Sequence, residues 1–362
     1  MNDPKQFAED AAGTPLESTA EKAVRIIQSY SGRPVRIMEV CGTHTHEIFR
    51  FGIRGLLPDN VKLISGPGCP VCVTPTDYID EAVWLALEKG AVITTFGDLI
   101  RVPGSEKSLA AARSEGASVS PVYSPLDALK IAEEHPDRDV VFLAVGFETT
   151  TPISCVAVRQ AKEKNIPNFS LLTANKTMDN AYRTLKDSAD AFLYPGHVSV
   201  VTGTAIYQEL MKEGISGVVT GFTAPEILTA LAVVLTELPK GKPFFRNCYP
   251  RVVTEEGSRP GQALIRSVMR PCDAEWRGIG VIPDSGLELA PEYEAFDARK
   301  KFQVPKMTAR PNPGCRCGDV LRGDLLPSEC PLFGKVCTPE EPVGACMVSG
   351  EGACSAFYKY SI

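Results

Sequence analysis

The chain has no G-x-x-x-x-G-K-[ST] loop and no G-x-G-x-x-G fingerprint, so the usual glycine-rich cradles for nucleotide phosphates are missing. It has no excess of positive charge. Thirty-eight Lys and Arg against 44 Asp and Glu leave a net charge of −6, which excludes the broad basic face that nucleic-acid binding needs. Long apolar runs are absent too. The most apolar stretch, 227–238, is too short to span a bilayer and contains Thr and Glu, so it reads as a buried helix. The opening residues Met-Asn-Asp-Pro-Lys-Gln-Phe-Ala-Glu-Asp carry no basic start followed by an apolar core. No secretory signal is read there, and the expected compartment is the cytoplasm.

Cysteine, by contrast, is plentiful and clustered: there are twelve. Three stand in two tight motifs near the front, Cys41-Gly-Thr-His-Thr-His46 and Gly66-Pro-Gly-Cys69-Pro-Val-Cys72. Six more fall at 315, 317, 330, 337, 346 and 354. In a reducing compartment such clusters point to metal ligands or redox catalysts before structural disulfides.

A helix is expected from about Ser18 to Tyr30, with Ala23, Val24, Ile27 and Tyr30 on one side. A repeated rhythm follows, in which short apolar runs end in Gly-rich or Pro-rich turns. The runs at 35–40, 61–64, 91–95, 140–145, 191–194 and 217–220 are the predicted strands. Helices fill the gaps, one closed by Gly90 and others opened by Ser124-Pro125 and Pro152. Alternation of this kind predicts parallel sheets. The expected fold class is α/β, with two parallel-sheet domains facing a cleft and a small, irregular Cys-rich domain formed by the C-terminus with the N-terminal helix. The expected divisions are 1–34, 35–160, 161–240 and 241–362. From Pro311 onward Gly, Pro and Cys dominate, and such a segment needs ligand bonds or packing against the rest of the chain to hold its shape.

The motifs carry specific chemistry. Cys41 falls where a strand ends and a helix begins, and backbone N–H groups there favour thiolate over thiol. His44 and His46 either pair with that sulfur, bind a metal beside it, or serve only as polar residues around a buried cysteine. Cys69 and Cys72 form a C-x-x-C, which is either a redox dithiol or half of a zinc site. Glu148 and Thr149, in Gly146-Phe-Glu-Thr-Thr-Thr151, either support such a centre or start a helix. His197 sits at another predicted strand end. In open α/β sheets ligands bind beyond the carboxyl ends of strands, so these loops are expected to converge. Among the terminal cysteines, Cys315, Cys330, Cys337 and Cys354 offer one four-thiolate set, with Cys317 and Cys346 left over. No pair has C-x2-C spacing, and either a [4Fe–4S] cluster or a structural zinc satisfies such a set.

Taken together, Cys41-Gly-Thr-His-Thr-His46, Gly66-Pro-Gly-Cys-Pro-Val-Cys72, Gly146-Phe-Glu-Thr-Thr150, Pro195-Gly-His-Val-Ser199 and the run from Cys330 through Cys337 and Cys346 to Cys354 closely resemble the HypD family. The likeness spans about residues 35 to 360. It implies a part in building the Fe(CN)2CO unit of [NiFe] hydrogenases, in complex with a HypC-type small chaperone and with cyanide from a HypE–HypF system. By this resemblance Cys41 binds the transient Fe(II), which carries CN and CO. A cysteine of the chaperone shares that iron, and Cys72 is a candidate second ligand. His44 lies beside the iron, Cys69 and Cys72 are a redox-active disulfide pair, and Cys315, Cys330, Cys337 and Cys354 hold a [4Fe–4S] cluster. His46, Glu148, Thr149 and His197 are supporting residues. Electron flow from cluster to dithiol to iron would require the terminal segment to fold back beside residues 66–72. Two other functions use the same residues: an Fe–S-dependent thiol–disulfide oxidoreductase acting on another substrate, and a zinc-stabilised binding module.

Overall fold

The structure, a computed structural model, describes residues 18–361. Residues 1–17 of the expected N-terminal segment lie outside the described residues. In chain order the strands are β1 (Val35–Glu39), β2 (Val61–Ser65), β3 (Val92–Thr95), β4 (Val119–Pro121), β5 (Val140–Gly146), β6 (Phe169–Asn175), β7 (Ala191–Pro195), β8 (Gly217–Thr220), β9 (Phe245–Asn247), β10 (Met269–Trp276) and β11 (Gly280–Leu289). Five of them form one parallel sheet in the order β2-β1-β7-β8-β9, and four form a second in the order β4-β3-β5-β6. β10 and β11 pair as an antiparallel hairpin. The expected α/β class with two parallel sheets is what forms. β5 is buried at every position, as a strand covered by helices on both faces must be.

The sheets do not follow the chain in sequence, which corrects the expected division at residue 160 as far as the sheets are concerned. The chain makes β1 and β2, leaves to build the whole second sheet, then returns to place β7 against the free edge of β1. Parallel strands are joined by crossovers and not by tight turns, so neighbours in the sheet can be distant in sequence. Here Ile37 pairs with Ala191 in register, and the Asp190 carboxylate accepts from the Arg36 backbone N–H at 2.7 Å.

The N-terminal helix also departs from expectation. Among the described residues, Thr19–Gln28, opened by a Ser18–Glu21 capping box, packs chiefly on the helix Ala224–Glu237 and not chiefly on the C-terminal segment. Its buried side chains, Ala23 and Ile27, join a cluster with Ile37, Ile48 and Leu231. That apolar partner is the same 224–237 stretch whose composition reads as a buried helix. The terminal helix Ala353–Ser361 instead covers the helix Gly42–Arg50: the Phe357 and Phe49 rings meet edge to face at 5.2 Å, and the Tyr360 hydroxyl bonds His46 Nε2 at 2.9 Å. Among the described residues, no helix is long and apolar enough to cross a membrane.

Ile27 is fully buried. Ile27→Ala is therefore expected to lower unfolding stability by about 2–5 kcal/mol, measured by urea denaturation.

Candidate functional site

The parallel strands β1 and β2 end side by side, with Glu39 opposite Ser65. An anchor built on the fully buried Glu39 and the partly buried Arg54 ties these ends. The Glu39 carboxylate accepts from Arg54 at 2.6 Å and from the Ser65 hydroxyl at 2.9 Å. The two cysteine loops leave from this point and touch at once: Gly42 N–H donates to the Gly68 carbonyl at 3.0 Å. A Cβ on Gly68 would collide with the Cys41 backbone, so only glycine permits this approach. β7 and β8 continue the same edge and bring in the helix Gly196–Thr202 and the Gly221-Phe222 turn.

These loops enclose a cleft of about 500 Å³. Cys41, Thr43, Thr149, His197 and Glu351 line it. Cys41 caps the helix Gly42–Arg50 as expected. Backbone N–H groups of Thr43 and His44 do favour its thiolate, but burial outweighs them and pushes the thiol up to about 11. The expected helix-start activation is thus reversed by desolvation, and the sulfur rests as a protonated thiol. Glu351, which the motif reading passed over as a site residue, accepts from the Thr43 hydroxyl at 2.9 Å.

His44 is fully buried and does not line the cleft. Its Nε2 bonds the Gly221 carbonyl at 2.9 Å, and a carbonyl can only accept, so Nε2 carries the proton. Nδ1 is then a bare acceptor with no partner. Burial lowers its pKa to about 4. The Phe222 ring lies between two imidazoles, 4.6 Å from His44 and 3.9 Å from His197. Phe222 had no sequence signal beyond its place after a strand. His46 binds Glu47 and Tyr360 and so secures the terminal helix. Glu148 faces away from the cleft: it accepts from the Met178 N–H at 2.9 Å and lines a different cavity.

Cys69 and Cys72 are both buried and unpaired. Cys69 caps the short helix Pro70–Val73, its sulfur accepting from Cys72 N–H at 3.3 Å. Burial, with Cys69 beside it, holds the Cys72 thiol well above its ordinary pKa. Cys72 does not line the Cys41 cleft; its sulfur faces the Ala345 carbonyl at 3.9 Å. The terminal segment therefore folds back beside the 66–72 loop. Arg277, at the tip of the β10–β11 hairpin, clamps this junction from below. Its backbone and Nε donate to the Val73 and Thr74 carbonyls at 2.9 and 2.6 Å.

Cys315, Cys330, Cys337 and Cys354 are unpaired and line one apolar cavity. Cys317 and Cys346, the two left over in the sequence, are joined as a disulfide. This corrects their reading as spares and the expectation against disulfides. Among the described residues, no three His, Cys, Asp or Glu side chains are placed to hold a single metal ion. A cubane cluster does not need that, since each of its irons takes one thiolate. The cavity between the four thiols is small, and the segment that forms it contains only short helical turns between residues 317 and 348.

The chain is similar to known proteins along nearly its whole length. A family model named HypD, described as "Hydrogenase formation hypA family", matches residues 18–361. The hydrogenase maturation factor HypD of Escherichia coli K12 is 44% identical over 354 residues, covering 95% of this chain and 94% of that protein. The factor of the same name from Cupriavidus necator is 43% identical over 343 residues, covering 91% and 90%. That from Rhodobacter capsulatus is 41% identical over 365 residues, covering 98% and 97%.

Two outcomes follow from this geometry. Gly68→Ala is expected to separate the two cysteine loops, read as a loss of stability on urea denaturation and a faster reaction of Cys41 with a thiol reagent. The second concerns Glu148, whose carboxyl burial raises from 4.5 to about 7. A raised folded-state value means that stability is complete below 4.5 and is lost as pH rises through about 7. The isosteric Glu148→Gln should match the parent in acid and exceed it by on the order of 3 kcal/mol above neutrality, in urea denaturation at a series of pH values.

Proposed function

The chain belongs to the HypD family of hydrogenase maturation factors, and from that footing we propose that it is the scaffold and electron donor on which the Fe(CN)2CO unit of a [NiFe] hydrogenase is assembled. The iron is cargo, held at Cys41. Among the described residues no three side chains form a metal site, and in this reading the remaining ligands are the cyanide and CO themselves and a cysteine of a HypC-type chaperone seated over the cleft. Cyanide is delivered by HypE–HypF-type proteins. Soft thiolates suit low-spin Fe(II) bearing such ligands. Binding exchanges the Cys41 proton for the metal, which relieves the cost of a buried anion. Thr43, Thr149, His197 and Glu351 supply the polar walls around the cargo.

Cys69 and Cys72 are the two-electron donor. Closing the disulfide forms one S–S bond and releases two electrons and two protons. Exchange with a dithiol, which is oxidised in turn, reverses this; the Cys317–Cys346 pair, which lines the terminal cavity, can serve as that dithiol only after its own disulfide has been opened by two electrons. Cys315, Cys330, Cys337 and Cys354 are the residues that would hold a [4Fe–4S] cluster, which supplies single electrons when bound. The observation that carries the reading is a continuous contact path. Cys41 meets the Gly68 loop through Gly42, Cys72 meets Ala345, and Gly344 and Cys346, on either side of Ala345, line the four-thiol cavity.

Infrared spectroscopy of the protein, purified without oxygen together with a HypC-type partner, tests the scaffold. Cyanide and CO stretches are expected in the parent and absent in Cys41→Ala; their persistence in the variant would refute iron binding at Cys41. Cys69→Ser and Cys72→Ser are expected to abolish hydrogenase maturation while the cluster's visible absorbance is retained. Zinc in place of iron and sulfide, on metal analysis of the anaerobic protein, overturns the cluster assignment.

A further inference from the structure

A cavity larger than the cleft lies beside it. On the far side of the Gly146–Thr151 turn lies a space of about 750 Å³, within the usual size range for small-molecule sites. Its walls are the start of the helix Asp179–Thr184, the helices Gly196–Thr202 and Arg259–Val268, and the β10–β11 hairpin. Much of the lining is apolar, with Ile206, Ile265 and Leu287 contributing.

Set into this apolar lining is Glu148, only 7% exposed. One carboxyl oxygen accepts from the Met178 N–H; the other, Oε2, is buried and has no partner. The Tyr182 hydroxyl, on the same cavity's lining, is also buried; its proton is directed to Tyr207, which leaves its oxygen as an acceptor with no donor. A buried acceptor left without a donor is costly, and both of these belong to residues that line one cavity, so a donor placed there would satisfy them. Charge points the same way. Glu148, Asp179 and Asp284 line the cavity, and Arg266, on its exposed wall, is the one cation among its described lining residues. Asp179 is partly occupied by Arg183 at 3.4 Å, whereas Glu148 has no ion-pair partner among the described residues.

We propose that this cavity is a second ligand site, separate from the cysteine cleft, that binds a small molecule with an N–H-donating cationic end set against Glu148 and Tyr182 and an apolar body along Ile206, Ile265 and Leu287. The site has a structural link to the cleft, because Val198 lines both cavities. The proposal stands independently of the iron-scaffold reading, since none of its residues is a thiol or a cleft ligand.

Straight-chain alkylamines are the probe, each compared with the alcohol of the same length, by isothermal titration calorimetry on the full chain. Saturable binding of an amine is expected, at least tenfold tighter than its alcohol. Glu148→Gln, whose shape is preserved, should erase that preference, and Tyr182→Phe should weaken amine binding several-fold. Circular dichroism confirms that both variants fold. Cys41→Ser should leave amine binding unchanged while removing the infrared signature, which separates failure here from failure of the scaffold reading. Equal binding of amine and alcohol, no binding of either, or amine binding that survives Glu148→Gln overturns the proposal and leaves the cavity as a hydrated space.

Discussion

The adjacency of two parallel strand ends governs this molecule. β1 and β2 finish level with one another, locked by Glu39, Arg54 and Ser65 beneath them. From that point the backbone can go only into two neighbouring loops, and each loop carries sulfur. The Gly42-to-Gly68 hydrogen bond is the first consequence, and the cleft is the second. Breaking a buried ion pair on one side typically costs about 3–5 kcal/mol. The anchor thus fixes the spacing between the Cys41 and Cys69 loops far more firmly than the short helices above it could.

Burial then decides the chemistry of those sulfurs. A helix start lowers a thiol's pKa and a dry interior raises it, and around Cys41 the interior wins. The same holds at Cys72. These are not thiolates waiting for a passing electrophile. Each resting sulfur keeps its proton until a metal or a disulfide partner takes its place, which suits groups that must stay unreactive between rare encounters.

Much of this was legible in the residues. The six expected strands all form, because each apolar run ends in Gly or Pro and marks its own boundary. Convergence of the Cys41, Cys69 and His197 loops followed from the rule for strand ends. Sheet membership did not follow, since β7 pairs with β1 across some 150 residues and parallel pairing leaves no spacing signal. β10 and β11 were missed because Pro271, Pro283 and a run of exposed side chains break the alternation. The Cys317–Cys346 pairing joins residues 29 apart in irregular chain. Glu351 carries no motif of its own between Gly350 and Gly352, and only the folding back of the terminus brings it to Thr43. Glu148 and Thr149 were read together, as support for the centre or as a helix start, because their motif follows a predicted strand, yet successive residues of a turn can face opposite sides.

The route of the chain through its sheets has a consequence for synthesis. β1 and β2, with the loops that carry Cys41, Cys69 and Cys72, leave the ribosome early. The strand that closes the edge of β1 comes only at residues 191–195, and the segment that covers Cys72 only at residues 344–354. Domains tend to fold as they emerge, but this cleft is begun by the strands at 35–65 and sealed only once residues 344–354 follow. Its sulfurs are therefore open to solvent, oxidants and stray metal ions until residues 344–354 have been made. The finished protein's seal is the C-terminal segment, so a prematurely terminated chain would present the same reactive loops uncovered.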